Sequence, residues 1–156
     1  MGRTSESGER LSEERSMIIL VMGLPGSGKT TLATYLAKEL DAHHINADDV
    51  RKRYGLLAPG NLKDRIDQAF RMKLLCKFSE KKIKIADFVC PTPETRTAFD
   101  ADYIIWVDRI TKEECRFQDT AEMFKAPYKY DIRYTKDMNL DYVLNLIKGK
   151  LRCAKL

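Results

Sequence analysis

The sequence has no apolar run long enough to cross a membrane, and its N-terminus carries no hydrophobic secretory region. It has no C-x-x-C pair and no zinc-ligand spacing among its four cysteines, which are Cys76, Cys90, Cys115 and Cys153. Its two histidines, His43 and His44, are adjacent, so we interpret them as strand-edge residues rather than metal ligands. These absences disfavour a membrane protein, a disulfide scaffold and a zinc protein. They predict a cytoplasmic protein with reduced thiols.

The composition is that of an ordinary globular domain. The chain has 156 residues, of which 44% are hydrophobic and 33% charged, so one domain with a sizeable core is expected. The net charge of +5 favours anionic ligands, but it does not choose between nucleotides alone and nucleic acid as well. After the initiator Met1, residues up to 15 contain one large apolar side chain, Leu11, so we predict a disordered leader at 1–15 followed by a single domain at 16–156.

One segment, GLPGSGKT at residues 23–30, fits the phosphate-binding pattern G-x-x-x-x-G-K-[ST]. The apolar run at 16–22 predicts a buried strand before it, and helical spacing of apolar residues follows it. This order of strand, glycine-rich turn and helix places backbone N–H groups around an anion. Lys29 can neutralise the outer phosphates, and the Thr30 hydroxyl can bind Mg²⁺. The residues predicted to bind ATP are Gly23, Leu24, Pro25, Gly26, Ser27, Gly28, Lys29, Thr30 and Thr31.

A second polar group follows the next predicted strand, at residues 42–47. Asp48 or Asp49 is expected to cap a helix, and Asp48 is expected to face the phosphates because carboxyl ends of parallel strands line the ligand crevice. There, its carboxylate can accept a proton from an attacking hydroxyl or hold Mg²⁺ indirectly. Arg51, three residues later, can bind a substrate phosphate with two hydrogen bonds. The alternative is that both aspartates only cap the helix.

The remaining segments complete an alternating pattern of strands and helices. A long helix is predicted up to Glu80, with a buried stripe formed by Leu62, Ile66, Ala69, Phe70, Leu74 and Phe78. A third strand at 81–90 brings Asp87 near its carboxyl end as a candidate Mg²⁺ ligand, and prolines predict a loop at 91–96. Residues 116–130 are predicted to form a lid or, alternatively, a surface helical hairpin. Arg116 is a further candidate for ATP binding.

The segments GLPGSGKTTLA, NADDVR, Asp64-Arg65, DFVCPTPETR and RFQDT together resemble the adenylylsulfate kinase family, in matching order from about residue 17 to 150. The resemblance implies an α/β P-loop kinase fold, a three-layer sandwich with a five-stranded parallel sheet. It also implies transfer of the γ-phosphoryl group of ATP to a 3′-hydroxyl, with Asp48 at that hydroxyl. The substrate-binding residues that it implies are Asp48, Arg51, Arg65, Arg71, Phe88, Cys90 and Pro91. The chain departs from the family in lacking a visible F-T-G-I-D segment and in carrying Asp87.

The acceptor is left open by these motifs. The pattern N-x-D-D-x-R is also similar to the polynucleotide 5′-hydroxyl kinases, and compact viral members of the superfamily phosphorylate hydroxymethylated bases in DNA. A third hypothesis is a nucleotide-binding switch without acceptor chemistry, although a mere binder needs no carboxylate such as Asp48 at a hydroxyl. We therefore expect an ATP- and Mg²⁺-dependent kinase with an anionic hydroxyl-bearing substrate. The oligomeric state is undetermined, with a homodimer as one option.

Overall fold

A computed structural model describes residues 15–156, so the predicted leader lies outside the described residues apart from Arg15. Five strands form one parallel sheet in the order β2-β3-β1-β4-β5. They are β1 (Met17–Gly23), β2 (His43–Asn46), β3 (Ile83–Asp87), β4 (Tyr103–Val107) and β5 (Ile132–Tyr134). The predicted α/β fold with a five-stranded parallel sheet is confirmed.

Within residues 15–156, six helices connect and cover the strands. They are α1 (Lys29–Leu40), α2 (Ala47–Arg53), α3 (Leu62–Phe78), α4 (Pro93–Phe99), α5 (Gln118–Met123) and α6 (Leu140–Cys153). The central strand β1 is buried along its whole length, and its side chains alternate between two cores. Ile18, Leu20 and Met22 face a core shared with α2–α5. The intervening residues face a second core, shared with α1 and α6. The sheet is therefore the middle of three layers.

The predicted buried stripe of α3 is only partly correct: Ala69 is fully buried and Ile66 packs against the core, but the other four members are exposed. Phe70 and Leu74 are each 54% exposed and Phe78 is 81% exposed, whereas Met72 and Cys76 are fully buried. The sequence carries apolar residues on more than one side of this helix, so a period of three or four residues does not identify the side that packs on the sheet. The buried side is instead marked by the spacing of Gln68, Met72 and Cys76.

Two local predictions are also corrected. Residues 91–96 are not all loop, because α4 begins at Pro93, where the missing N–H of proline is tolerated. Thr92 caps this helix by accepting a hydrogen bond from the Thr95 N–H at 3.2 Å. Neither Asp48 nor Asp49 caps α2; the cap is Asn46, whose side chain accepts from the Asp49 N–H at 3.1 Å. Each correction concerns a helix start that side-chain chemistry defines.

Among residues 15–156, no helix is both long enough and apolar enough to cross a membrane.

Candidate active site

The phosphate-binding loop joins β1 to α1 and passes close to the end of β4. A side chain at Gly23 would place a Cβ 2.4 Å from the Val107 carbonyl oxygen, so only glycine fits there. Gly28 precedes α1 with a φ of 101°, in the left-handed region that glycine adopts without strain. Within the described residues, the Ser27 hydroxyl is the buried side-chain polar group that has no hydrogen-bond partner. An unsatisfied buried hydroxyl in such a loop fits a binding site for phosphate oxygens.

Lys29 is the first residue of α1 and is only 8% exposed. Its ammonium group donates a hydrogen bond to the Leu24 carbonyl oxygen at 2.8 Å. Burial lowers the pKa of Lys29 to about 8, although the negative charges of Asp87 and Asp48 oppose that shift. The loop thus holds a desolvated cation that a phosphate anion would stabilise.

Asp87 ends β3 beside the loop, as the sequence predicted, and its side chain is almost fully buried. Its Oδ2 accepts a hydrogen bond from Asn46 at 2.9 Å and lies 3.1 Å from His44 Nε2. Burial acts to raise the pKa of Asp87, but contacts with His44, Asn46 and Thr30 and the charge of Lys29 hold it below its ordinary value. The carboxylate is therefore kept ionised next to the hydroxyl that is expected to bind metal.

The acceptor side of the site is formed by α2 and α3. Asp48 and Arg51, one turn apart on α2, form an ion pair in which the carboxylate remains 69% exposed. Arg65, on α3, donates to the Gly60 carbonyl oxygen at 3.2 Å and to the Thr120 hydroxyl at 2.7 Å. Burial lowers the pKa of Arg65, and the nearby positive charge of Arg51 lowers it further. Two arginines thus converge on one region, which favours an anion there.

One cavity of about 660 Å³ joins the phosphate-binding loop to this acceptor side. Every predicted site residue lines it except Gly23, Leu24, Ser27, Arg71 and Arg116. Arg71 contacts Gln68 and lies over the Tyr54 ring, with its Cζ 5.2 Å from the ring centre. Gly23, Leu24 and Ser27 belong to the phosphate-binding loop itself, so their place fits phosphate binding. The roles given to Arg71 and Arg116 stay predictions.

The cavity wall also contains residues that the sequence analysis did not name as site residues, although Phe117 and Thr120 fall within the predicted lid. They are Asn46, Ala47, Leu57, Pro59, Gln68, Val89, Phe117 and Thr120. Asn46 belongs to the N-x-D-D-x-R pattern, so that motif could have identified it. No local pattern marks Leu57, because chain folding alone brings its segment to the cavity.

The described side chains do not form an all-protein metal cage. Among residues 15–156, no group of three or more His, Cys, Asp or Glu side chains is placed to hold an ion. This donor set fits Mg²⁺ in a nucleotide site, since Mg²⁺ there uses one or two carboxylates together with phosphate oxygens and water. Thr30, Asp48 and Asp87, the three residues predicted to bind Mg²⁺, all line the cavity.

Comparison with known proteins agrees with this geometry. A family model described as an AAA domain matches residues 18–86. An adenylyl-sulfate kinase from Thermodesulfovibrio yellowstonii is 28% identical over 151 residues, covering 88% of this chain and 74% of the relative. The solved structure of the Mycobacterium tuberculosis APS kinase CysC with AMPPNP and APS is 16% identical, with a TM-score of 0.70 over 88% of this chain and 98% of that one. The chain is thus similar to APS kinases in sequence and in fold, and these similarities support an APS-kinase-like P-loop kinase.

A second relative shows how broad this similarity is. An adenylate kinase from a Thermoanaerobacter species is 27% identical over 135 residues, covering 83% of this chain and 52% of the relative. The chain thus spans about half the length of that protein. Because both named relatives are kinases, they support a phosphotransferase, and the resemblance found in the motifs is confirmed.

Proposed function

We propose that this P-loop kinase uses ATP and Mg²⁺ to phosphorylate a hydroxyl group of a small anionic nucleotide of the adenylylsulfate type. The observation that carries the proposal is the single cavity with two chemically different ends. One end has the phosphate-binding loop with Lys29, and the other has Asp48 with Arg51 and Arg65. A cavity built this way can bring a phosphate donor and an anionic acceptor together in one space.

At the donor end, the chain would bind the phosphates of ATP. The loop N–H groups and the Ser27 hydroxyl offer hydrogen bonds, and Lys29 offers a charge whose burial is offset once phosphate is bound. Thr30 and Asp87 would hold Mg²⁺. Held there, Mg²⁺ would supply positive charge that stabilises the phosphates during transfer. Asn46 keeps the Asp87 carboxylate oriented toward this end by its hydrogen bond.

At the acceptor end, Asp48 would orient the reacting hydroxyl and accept its proton. The acceptor oxygen forms a bond to the γ-phosphorus, and the bond from that phosphorus to the bridging oxygen breaks. ADP leaves with the bonding electron pair. Arg51 contacts Asp48, so it can hold this carboxylate in place and can also reach a substrate anion. Positioning and charge stabilisation would then supply most of the rate.

The residues that line the cavity near Asp48 support a particular chemical class of acceptor. Arg51 and Arg65 favour an anionic substituent such as phosphate or sulfate, while Leu57, Pro59 and Phe117 give an apolar rim that suits a nucleobase. The adenylyl-sulfate kinase among the relatives supports an acceptor of this kind. We extend the proposal to residues 116–130 as a lid. Phe117 and Thr120 of that segment already form part of the cavity wall.

The test is an acceptor screen with γ-labelled ATP. Wild-type protein is incubated with adenylylsulfate, with a 5′-hydroxyl oligonucleotide and with an oligonucleotide that contains hydroxymethylated bases. We expect Mg²⁺-dependent labelling of adenylylsulfate, and we expect Lys29→Ala to abolish it while the protein remains folded by circular dichroism. Label on an oligonucleotide alone would contradict the small-nucleotide acceptor and favour a nucleic-acid kinase, whose acceptor binding weakens steeply with salt. Nucleotide binding without any transfer would favour the switch hypothesis.

A further inference from the structure

Asn46 contacts the donor half of the site and caps the helix that carries residues of its acceptor half. It is the last residue of β2 and the N-cap of α2, the helix that carries Asp48 and Arg51. In the parallel ladder it is the register partner of Asp87, the last residue of β3. The two strand ends therefore hold their polar side chains next to each other, at the edge of the sheet where the cavity opens.

Both polar atoms of the Asn46 amide have a partner. Its oxygen accepts the Asp49 N–H at 3.1 Å. Because an N–H must point to the oxygen, the amide orientation is fixed, and Nδ2 faces the other way. Nδ2 donates to Asp87 Oδ2 at 2.9 Å and lies 3.4 Å from the Thr30 hydroxyl. One side chain thus fixes the start of α2 and the two groups expected at the metal.

The other asparagine caps of this protein show what capping alone requires. Asn139 accepts the Tyr142 N–H at 2.8 Å at the start of α6, and Asn61 accepts the Asp64 N–H at 3.0 Å at the start of α3. Neither side-chain amide donates to a carboxylate at a strand end in the hydrogen bonds described for residues 15–156. The contacts that Asn46 Nδ2 makes with Asp87 and Thr30 are therefore additional to what helix capping requires.

We propose that Asn46 is a positioning residue that holds Asp87 and Thr30 in the arrangement that binds Mg²⁺ with ATP, and that ties this arrangement to the helix carrying Asp48. The inference rests on the proposed function, since it assumes a Mg²⁺–nucleotide site. Its physical basis is that a fixed hydrogen-bond donor holds the carboxylate in one orientation. In that orientation the carboxylate can bind the ion. Partners of metal ligands commonly alter metal affinity by about tenfold to a hundredfold when they are removed.

The informative substitution is Asn46→Ser. Serine caps helices about as well as asparagine, but its short side chain cannot reach Asp87 on the neighbouring strand. Asn139→Ser is the matched control, because it makes the same change at a cap outside the site. Asn46→Thr is a second cap-preserving variant, in case serine at a strand end impairs folding. Asn46→Ala removes the cap as well as the contact with Asp87. Its comparison with the cap-preserving variants therefore separates the two roles.

The measurement is the affinity for a fluorescent ATP analogue, N-methylanthraniloyl-ATP, with EDTA and then with increasing Mg²⁺, together with the melting temperature of the ligand-free protein. No acceptor is needed. In the wild type we expect Mg²⁺ to tighten nucleotide binding. In Asn46→Ser and Asn46→Thr we expect this tightening to fall by about tenfold or more. Melting temperatures should stay close to that of Asn139→Ser, and affinity in EDTA should change little.

The results that would overturn the inference can be distinguished from one another. If the wild type shows Mg²⁺-dependent tightening and both cap-preserving variants retain it in full, Asn46 is only a cap and the proposed kinase site still stands. If the wild type itself shows no tightening, the Mg²⁺–nucleotide site fails, and the inference fails with it. A loss of tightening confined to Asn46→Ala, the variant without a cap, would likewise assign Asn46 a structural role.

Discussion

Arg65 donates a hydrogen bond to the Thr120 hydroxyl at 2.7 Å, which joins α3 to α5 across 55 residues of sequence. Both residues line the cavity, and Arg65 is half-buried. Within residues 15–156, no carboxylate forms an ion pair with Arg65. The charge of Arg65 is therefore available to an anionic ligand. The hydrogen bond to Thr120 fixes the orientation of its guanidinium group. We therefore expect Thr120 to affect acceptor binding through the guanidinium group of Arg65.

The first prediction concerns this pair. Arg65→Ala should raise KM for the acceptor by about tenfold to a hundredfold, since a hydrogen bond to a charged group contributes about 1.5–3 kcal/mol. KM for ATP should change little. Thr120→Val, which removes one neutral partner and keeps the shape, should have an effect of about fivefold. Steady-state kinetics with each substrate varied separately measures both values. Equal effects on both KM values would contradict the assignment of Arg65 to the acceptor end.

The second prediction separates Asp48 from its neighbour. Asp48→Asn should lower kcat by about a hundredfold or more, because the group that takes the acceptor proton is lost, while ATP affinity is retained. Asp49→Asn is the matched control. Asp49 is the next residue in the first turn of α2, but it does not line the cavity. Single-turnover transfer rates measure the chemical step directly. Similar losses in both variants would indicate a structural effect on α2.

The third prediction follows from the buried ammonium group of Lys29. Its pKa is about 8 in the folded protein and near 10.5 when the chain is unfolded, so the unfolded chain binds more protons between those pH values. The free energy of unfolding should therefore rise with pH across this window, by roughly 3 kcal/mol for this group alone. Below pH 8 the group is charged in both states, and the cost of burying the charge is fully present.

Lys29→Met provides the reference for that prediction, because it removes the titrating group and keeps most of the side-chain volume. Urea denaturation at several pH values gives the free energy of unfolding for both proteins. The wild type should gain stability relative to Lys29→Met between pH 8 and 10.5. A constant difference between the two proteins would mean that the ammonium group is solvated in the folded state.

The sequence predicts the parts of this protein that short segments define. The phosphate-binding loop needs only its own residues and the adjoining strand and helix, so its place was recognisable, and Asp87 was found because it ends an apolar strand. The contact between Asn46 and Asp87 depends on the register of two strands that are far apart in sequence. Likewise, Leu57 reaches the cavity through the path of the segment between α2 and α3, which no local pattern encodes.

The fourth prediction concerns the cysteines, none of which is in a disulfide bond among the described residues. Burial raises the pKa of Cys90 to about 12, so its thiol stays protonated although it lines the cavity. Cys153 is exposed, whereas the other three are buried. Iodoacetamide at pH 8 should rapidly modify Cys153 and leave Cys90 unmodified, as shown by mass spectrometry of peptides. Cys153→Ser should abolish rapid labelling. Rapid modification of Cys90 would contradict the prediction that its thiol is buried and protonated.

The fifth prediction tests which side of α3 packs on the sheet. Met72 is fully buried and Phe78 is 81% exposed, although the stripe expected from the sequence included Phe78 and left out Met72. Met72→Ala should reduce the free energy of unfolding by about 2–5 kcal/mol, because it leaves a cavity in the core. Phe78→Ala removes a larger side chain from the same helix and should change stability by only about 0.5 kcal/mol. Urea denaturation of the two variants gives the comparison. A larger loss for Phe78→Ala would mean that the outer side of α3 is covered in solution, since an exposed phenylalanine contributes little burial to an isolated chain.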